Sequence, residues 1–297
     1  MKKLLVLVGL AAVVMLAADS QAFRVTTADP GGADAELREE TPTTNRGTST
    51  EIASRIYAST DPTKWRNSVI YLKFGVAGIT AQDLAGDITI RLTYRNTNLV
   101  ISRIQDTVEP IGPNTGWDYF ILDPTIDGAN WDELTITPSN APGYSLDNDY
   151  ATKATGSPIA PTDGLYYLGR QLYDSAALVG TPAHLPVGGA FDFTLPAGSL
   201  LHEAILMAQE TDHKTLTIVM GIAHDYDNDN TNWLNFNYLF NPKEMTTLLK
   251  DTASPWSEKS NASNLFSPML TNEPHIPEPA TMALLGFGGL ALLRKRK

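Results

Sequence analysis

The chain has no cysteine. That excludes disulfides, thiolate metal sites, iron–sulfur clusters and cysteine nucleophiles together. A chain of 297 residues without them must be held by core and sheet packing, helped at most by a bound ion. Positive charge is scarce: 22 Lys and Arg stand against 33 Asp and Glu, for a net charge of −11. No basic cluster occurs outside the two ends, so nucleic acid is not an expected partner. Catalytic signatures are also missing. There is no Gly-x-Ser-x-Gly elbow and no phosphate loop. His202-Glu203 begins like a zinc-protease motif, but Leu206 stands where the second His must be. The chain is therefore expected not to be an enzyme, a dispersed carboxylate pair for polysaccharide cleavage being the remaining catalytic alternative.

What is present is concentrated first at the ends. Lys2 and Lys3, then the apolar run Leu4 to Ala17, then Ser20-Gln21-Ala22 have the layout of a secretion signal cut by signal peptidase. Residues 1–22 are expected to be that signal, with Phe23 the mature start. At the other end Pro277-Glu278-Pro279 precedes an apolar run from Met282 to Leu293 and the basic tail Arg294 to Lys297. Twelve residues span ~18 Å as a helix, short of the ~30 Å hydrocarbon core. Gly286, Gly288 and Gly289 weaken the helix further. Such a segment makes transient membrane contact and is poorly built as an anchor. These three parts, in this order, resemble the PEP-CTERM sorting signal of exported bacterial proteins. The resemblance implies recognition by an exosortase, in a bacterium that makes extracellular polysaccharide, and places the protein at the cell surface or in the extracellular matrix. Residues 23–279 alone would lack Lys2, Lys3, Arg294, Lys295, Arg296 and Lys297 but only one acid, Asp19, moving the net charge from −11 to −16.

Between the ends, period-2 alternation dominates. Ile88, Ile90, Leu92 and Tyr94 alternate with Thr89, Arg91, Thr93 and Arg95; Leu216, Ile218, Met220 and Ile222 line up likewise, as do Leu234, Phe236, Tyr238 and Phe240. In the stretch 69–76, Ile70, Leu72, Phe74 and Val76 share one face and Val69, Tyr71 and Lys73 the other. Shorter candidates are 117–122, 133–137, 164–172 and 190–195. Strands with one polar face in long succession predict an all-β, antiparallel, jelly-roll-like β-sandwich over 23–271, with 272–297 as linker and sorting signal. One short helix is predicted after Ser199, its apolar stripe formed by Leu201, Ala204, Ile205 and Ala208. Residues 138–163, rich in Pro, Gly, Ser and Asn, read as a long surface loop.

A second set of residues carries a second resemblance. Asp34 and the Asn45-x-Gly47 turn come first, then Tyr71, Leu72 and Phe74, then Trp131-x-Glu133 with Asn140 to Pro142, then Lys243-Glu244 and Pro268 to Leu270. In this order they resemble the DNRLRE-type module, with Gly75 where that pattern has Asp. The resemblance spans about residues 33–271. Members of that group include alginate-binding and other carbohydrate-binding domains, so it implies an extracellular polysaccharide as partner.

Two kinds of site are legible. Asp225, Asp227 and Asp229 alternate between two strands, with hard oxygens spaced as in half a calcium loop, though Asn230 and Phe236 break the EF-hand frame. This is either a structural Ca²⁺ loop or a solvated acidic hairpin. For sugar contact, the candidates are aromatic faces with amides nearby. Trp233, Asn235 and Asn237 share one strand face, and Arg91 and Arg95 share another that could meet an anionic glycan. Trp65, Trp117, Trp131, Tyr144 and Tyr166 are further ring candidates, or else packing residues. The expected function is a secreted, non-catalytic protein that binds or associates with extracellular polysaccharide. A structural matrix protein without a sugar site is the alternative.

Overall fold

In the computed structural model the described residues are 23–57, 68–93, 116–144, 164–172, 190–223, 235–240, 242–244 and 267–273. They form two antiparallel sheets with one helix. Strands are β1 (Arg24–Thr26), β2 (Ala33–Arg38), β3 (Ile52–Tyr57), β4 (Ser68–Gly75), β5 (Ile88–Thr93), β6 (Gly116–Leu122), β7 (Leu165–Leu172), β8 (Ala190–Leu195), β9 (Thr215–Ala223), β10 (Asn235–Phe240) and β11 (Met269–Thr271); the helix α1 is Leu200–Gln209. The small sheet has the order β1-β11-β5-β8, and the large one β10-β3-β4-β9-β6-β7, with β2 also paired to β4.

The alternating stretches face one another as their sequence requires. Ile88, Ile90 and Leu92 of β5, with Phe191 and Leu195 of β8, pack against Ile70, Leu72 and Phe74 of β4 and Leu216, Ile218 and Met220 of β9. Aromatic contacts bridge the sheets: Tyr119 stacks on Phe193 at 4.3 Å between ring centres, and Trp117 meets Phe191 edge-on at 4.6 Å. Helix α1 adds Leu201, Ala204, Ile205 and Ala208 to this core, the expected stripe. Ser199 holds the N-cap position, but its hydroxyl pairs with Nδ1 of His202 at 2.9 Å and not with a backbone N–H. At the other end of the helix, the Gln209 amide donates to the carbonyls of Val76 and Ile79 and ties it to the chain leaving β4.

The other face of the large sheet is not the polar, solvated face its residues suggested. A second apolar cluster lies there, formed by Ala33, Ala35 and Leu37 of β2, Val69 and Tyr71 of β4, Phe120, Leu122, Leu165 and Val219, under Ala129, Trp131, Ile136 and Ala141. Every residue of β4 from Ser68 to Phe74 is consequently buried. The cover is the segment 123–144. Its stretch 133–137 forms turns in place of the expected strand. The reason is local: the Asp132 carboxylate accepts the Leu134 N–H and the Asn140 side chain accepts the Thr137 N–H, so side chains capture the donors a strand would offer. Residues 138–144 belong to this packed cover and not to an open surface loop; residues 145–163 lie outside the described residues. Backbones also approach closely where β4 ends. A Cβ on Gly75 would sit 2.2 Å from the Pro30 carbonyl oxygen, which leaves no room for the Asp of the resembled pattern.

Candidate functional site

The cover is pinned to the sandwich by polar groups set among apolar ones. The Trp131 indole donates to the Thr217 hydroxyl at 2.9 Å, and the Tyr71 hydroxyl donates to the Pro142 carbonyl at 2.8 Å. Lys73 donates to the Trp131 carbonyl and lies over that residue's ring, 4.9 Å from its centre. Burial holds the Lys73 ammonium below the usual lysine range, partly offset by Asp132 and Glu133.

Beside Trp131 the cover delivers Glu133 to a group of acids. One oxygen each of Asp34, Glu133 and Glu244 lie within 4.8 Å of one another. Three stretches of chain are needed to assemble them. The Glu133 carboxylate accepts the Asp34 N–H at 3.0 Å across 99 residues of sequence. Asp34 Oδ2 accepts the Thr27 hydroxyl at 2.7 Å and the Lys243 N–H at 3.0 Å. Lys243 Nζ lies 2.5 Å from Glu133 Oε2 and 3.9 Å from Glu244 Oε1. The Asn45 amide donates to the carbonyls of Glu133 and Ile136, both at 2.7 Å, and holds the segment in place. Gly47 is the close-approach point, since a Cβ there would lie 2.0 Å from the Glu133 carbonyl oxygen. Asp34 is fully buried, and desolvation raises its pKa to about 7 despite the Thr27 and Lys243 hydrogen bonds. Glu244 is raised to about 8 by burial and by the neighbouring Asp34.

A different surface lies on β6 and β7. Arg170 holds Asp118 through two hydrogen bonds of 2.7 and 2.9 Å, and the Tyr167 hydroxyl reaches Asp118 Oδ1 at 3.3 Å. Tyr167 is 53% exposed, and its ring rests edge-on against Phe120, which is buried. Tyr166 is 48% exposed and donates to Asp123 at 3.3 Å.

The residues singled out in the sequence fare differently. Trp117 and Trp131 are packing residues, 2% and 6% exposed, and so offer no open ring face. Tyr144 packs against the outer cluster. Arg91 forms a two-point ion pair with Asp192, both contacts at 2.7 Å, so its charge is met by its cross-strand neighbour. Asn235 and Asn237 lie in β10, opposite Tyr57 and Arg55. Their side chains, and Trp65, Trp233, Arg95, Asp225, Asp227 and Asp229, lie outside the described residues, as do residues 1–22 and Pro277, Glu278 and Pro279. His202 is accounted for structurally, its Nδ1 taken by Ser199 and its Nε2 by the Gly86 carbonyl. The acid cluster and Tyr167 were not picked out as sites. The only sequence trace of the cluster is that Asp34, Glu133 and Lys243-Glu244 are separate pieces of one resembled pattern, and the fold brings those pieces together.

Comparison with known proteins bears on the far end of the chain. The PEP-CTERM protein-sorting motif matches residues 275–297, so the chain carries the signal of an exosortase-sorted, exported protein. No curated protein matches the chain. Among the described residues no helix is long and apolar enough to cross a membrane.

Proposed function

We propose that this is a non-catalytic, polysaccharide-associated protein of the bacterial surface or matrix, and that glycan is met on the β6–β7 face. The observation that carries this reading is the exposed Tyr167 ring beside the planar Arg170–Asp118 pair. Sugar rings present C–H faces that stack on an aromatic ring and hydroxyls that pair with fixed carboxylate and guanidinium groups. Two further facts support it. The sorting motif marks the chain for export to the cell surface or extracellular space, and Asp34, Asn45 and Glu133, among the residues that carry the resemblance to a DNRLRE-type module, are in contact.

The test is retention on immobilised acidic and neutral glycans, alginate included. Wild-type protein should be retained and Tyr167→Ala should not, with unchanged melting. Retention that survives Tyr167→Ala but is lost in Trp233→Ala would move the contact to the strand face first read from sequence. No retention on any glycan, with self-association in its place, would leave a structural matrix protein. Release of reducing ends or unsaturated sugars would overturn the non-catalytic reading.

A further inference from the structure

The acid cluster holds more negative charge than its surroundings answer. Among the described residues the cation paired with this group is Lys243, whose ammonium is committed chiefly to Glu133; Lys73 also acts on Glu133 through its charge, but its own ammonium donates to the Trp131 carbonyl. With all four ionised the group carries a net charge of two negatives. Two of its oxygens also lack any hydrogen-bond donor although they are shielded from water: Asp34 Oδ1, on a fully buried residue, and Glu244 Oε2. Buried carboxylate oxygens normally have partners, and a bare one is costly. The rest of the site is not free to relax. Asp34 Oδ2 is fixed by Thr27 and the Lys243 backbone, and Glu133 is fixed by the Asp34 N–H and by Asn45 acting on its carbonyl.

We propose that Asp34, Glu133 and Glu244 bind one Ca²⁺, with Asp34 Oδ1 and Glu244 Oε2 as direct ligands. The spacing of the three residues fits: two oxygens each about 2.4 Å from one ion lie at most about 4.8 Å apart, and one oxygen from each of the three residues falls within that limit. The donors are all hard oxygens, which suits calcium and not zinc or copper. A divalent ion cancels the two excess negatives. Calcium tolerates an irregular set completed by water, whereas magnesium demands near-octahedral geometry. The ion would bolt together the chain after β1, strand β2, the 123–144 cover and the chain after β10, a role a cysteine-free exported protein otherwise leaves to packing alone. These ligands are other residues than Asp225, Asp227 and Asp229, which lie outside the described residues.

The full chain, stripped with EDTA, is titrated with CaCl₂ by calorimetry at about pH 8, where competition from protons is less than at neutral pH. Melting is followed in Ca²⁺ and in EDTA. One Ca²⁺ per chain is expected, with a higher melting temperature in its presence. Glu244→Gln should weaken binding about 100-fold, as losing a carboxylate donor does at least as much as losing a supporting group. Replacing Asp225, Asp227 and Asp229 together by Asn should leave that binding in place. The triple replacement decides the matter even if Glu244→Gln fails to fold. The proposal is overturned by absence of saturable binding to wild type, by binding that vanishes in the triple variant, or by full affinity in folded Glu244→Gln.

Discussion

Ile70, Leu72 and Phe74 leave strand β4 towards the small sheet and pack among apolar side chains, whereas Val69, Tyr71 and Lys73 leave its other face and meet the 123–144 cover. Both sides are buried to the same degree. The inner contact is non-directional: its stability follows area and fit. The outer contact is directional, because a tyrosine hydroxyl, an ammonium and an indole N–H must each find one carbonyl or hydroxyl. The difference explains how one strand can carry two covers, a sheet that needs only complementary shape and an irregular segment that needs addressed anchors.

The sharpest way to break the comparison is to truncate each side. Phe74→Ala, on the inner face, removes a fully buried ring and leaves a cavity; a loss of about 3–5 kcal/mol is expected in denaturant unfolding. A loss under about 1 kcal/mol would mean that the two sheets are not the main core.

The second effect in size lies at the rim of the cover and concerns pH. Asp34 and Glu244 move from 3.8 and 4.5 to about 7 and about 8, mainly through burial; Asp34 adds to the rise of Glu244 and Glu133 pushes both up, while Lys243 pulls both back and the Thr27 hydroxyl pulls Asp34 back. Without metal the folded state then holds more protons than the unfolded one across this window. Its stability should therefore fall as pH rises from about 4.5 to about 8, by on the order of a few kcal/mol for this coupled pair. Calcium, which needs both groups deprotonated, should reverse the slope. Chemical denaturation across that range in EDTA and in Ca²⁺ checks both signs. A flat profile in EDTA would show that the cluster is solvated.

How far the two faces were legible follows from the same chemistry. Strands β5 and β9 and helix α1 announced themselves, because the positions they turn to the core between the sheets are Ile, Leu, Met and Ala at the right period. The strand β4 was legible, but its outer cover was not. Tyr71 and Lys73 read as polar, although each buries an apolar body and asks only for one partner at its tip. The stretch 133–137 misled for the opposite reason, since its β-branched residues suit a strand while Asp132 and Asn140 take the backbone N–H groups a strand needs. The acid cluster has no local spacing at all: Asp34 and Glu133 are 99 residues apart, and Asp34 and Lys243 are 209 apart. Only a fold can bring them within reach of one ion.

On the outer face, Trp131→Phe keeps an aromatic ring, though a smaller one, and removes the N–H that the Thr217 hydroxyl accepts. Thr217 is buried, so its oxygen is left without that donor. A cost of about 1–2 kcal/mol is expected, smaller than the inner truncation because no large cavity forms. If Trp131→Phe proves as costly as Phe74→Ala, the cover is anchored by ring packing and the directional account fails. Measuring both in one denaturant series sets the two faces on one scale.

The smallest stability effect belongs to the surface where neither cover reaches. Tyr167 projects beside Phe120, more than half exposed, and its hydroxyl makes one long contact to an Asp118 already held by Arg170. Its removal by Tyr167→Ala should change stability by less than about 0.5 kcal/mol, as surface substitutions do. Yet glycan retention should be lost, because stacking needs the ring. That separation is the point of the measurement. Residues that hold the two covers lose stability when changed, whereas a residue kept for contact loses only binding. A Tyr167→Ala protein that melts several degrees early would place the ring among the packing residues and remove the argument for a glycan face there.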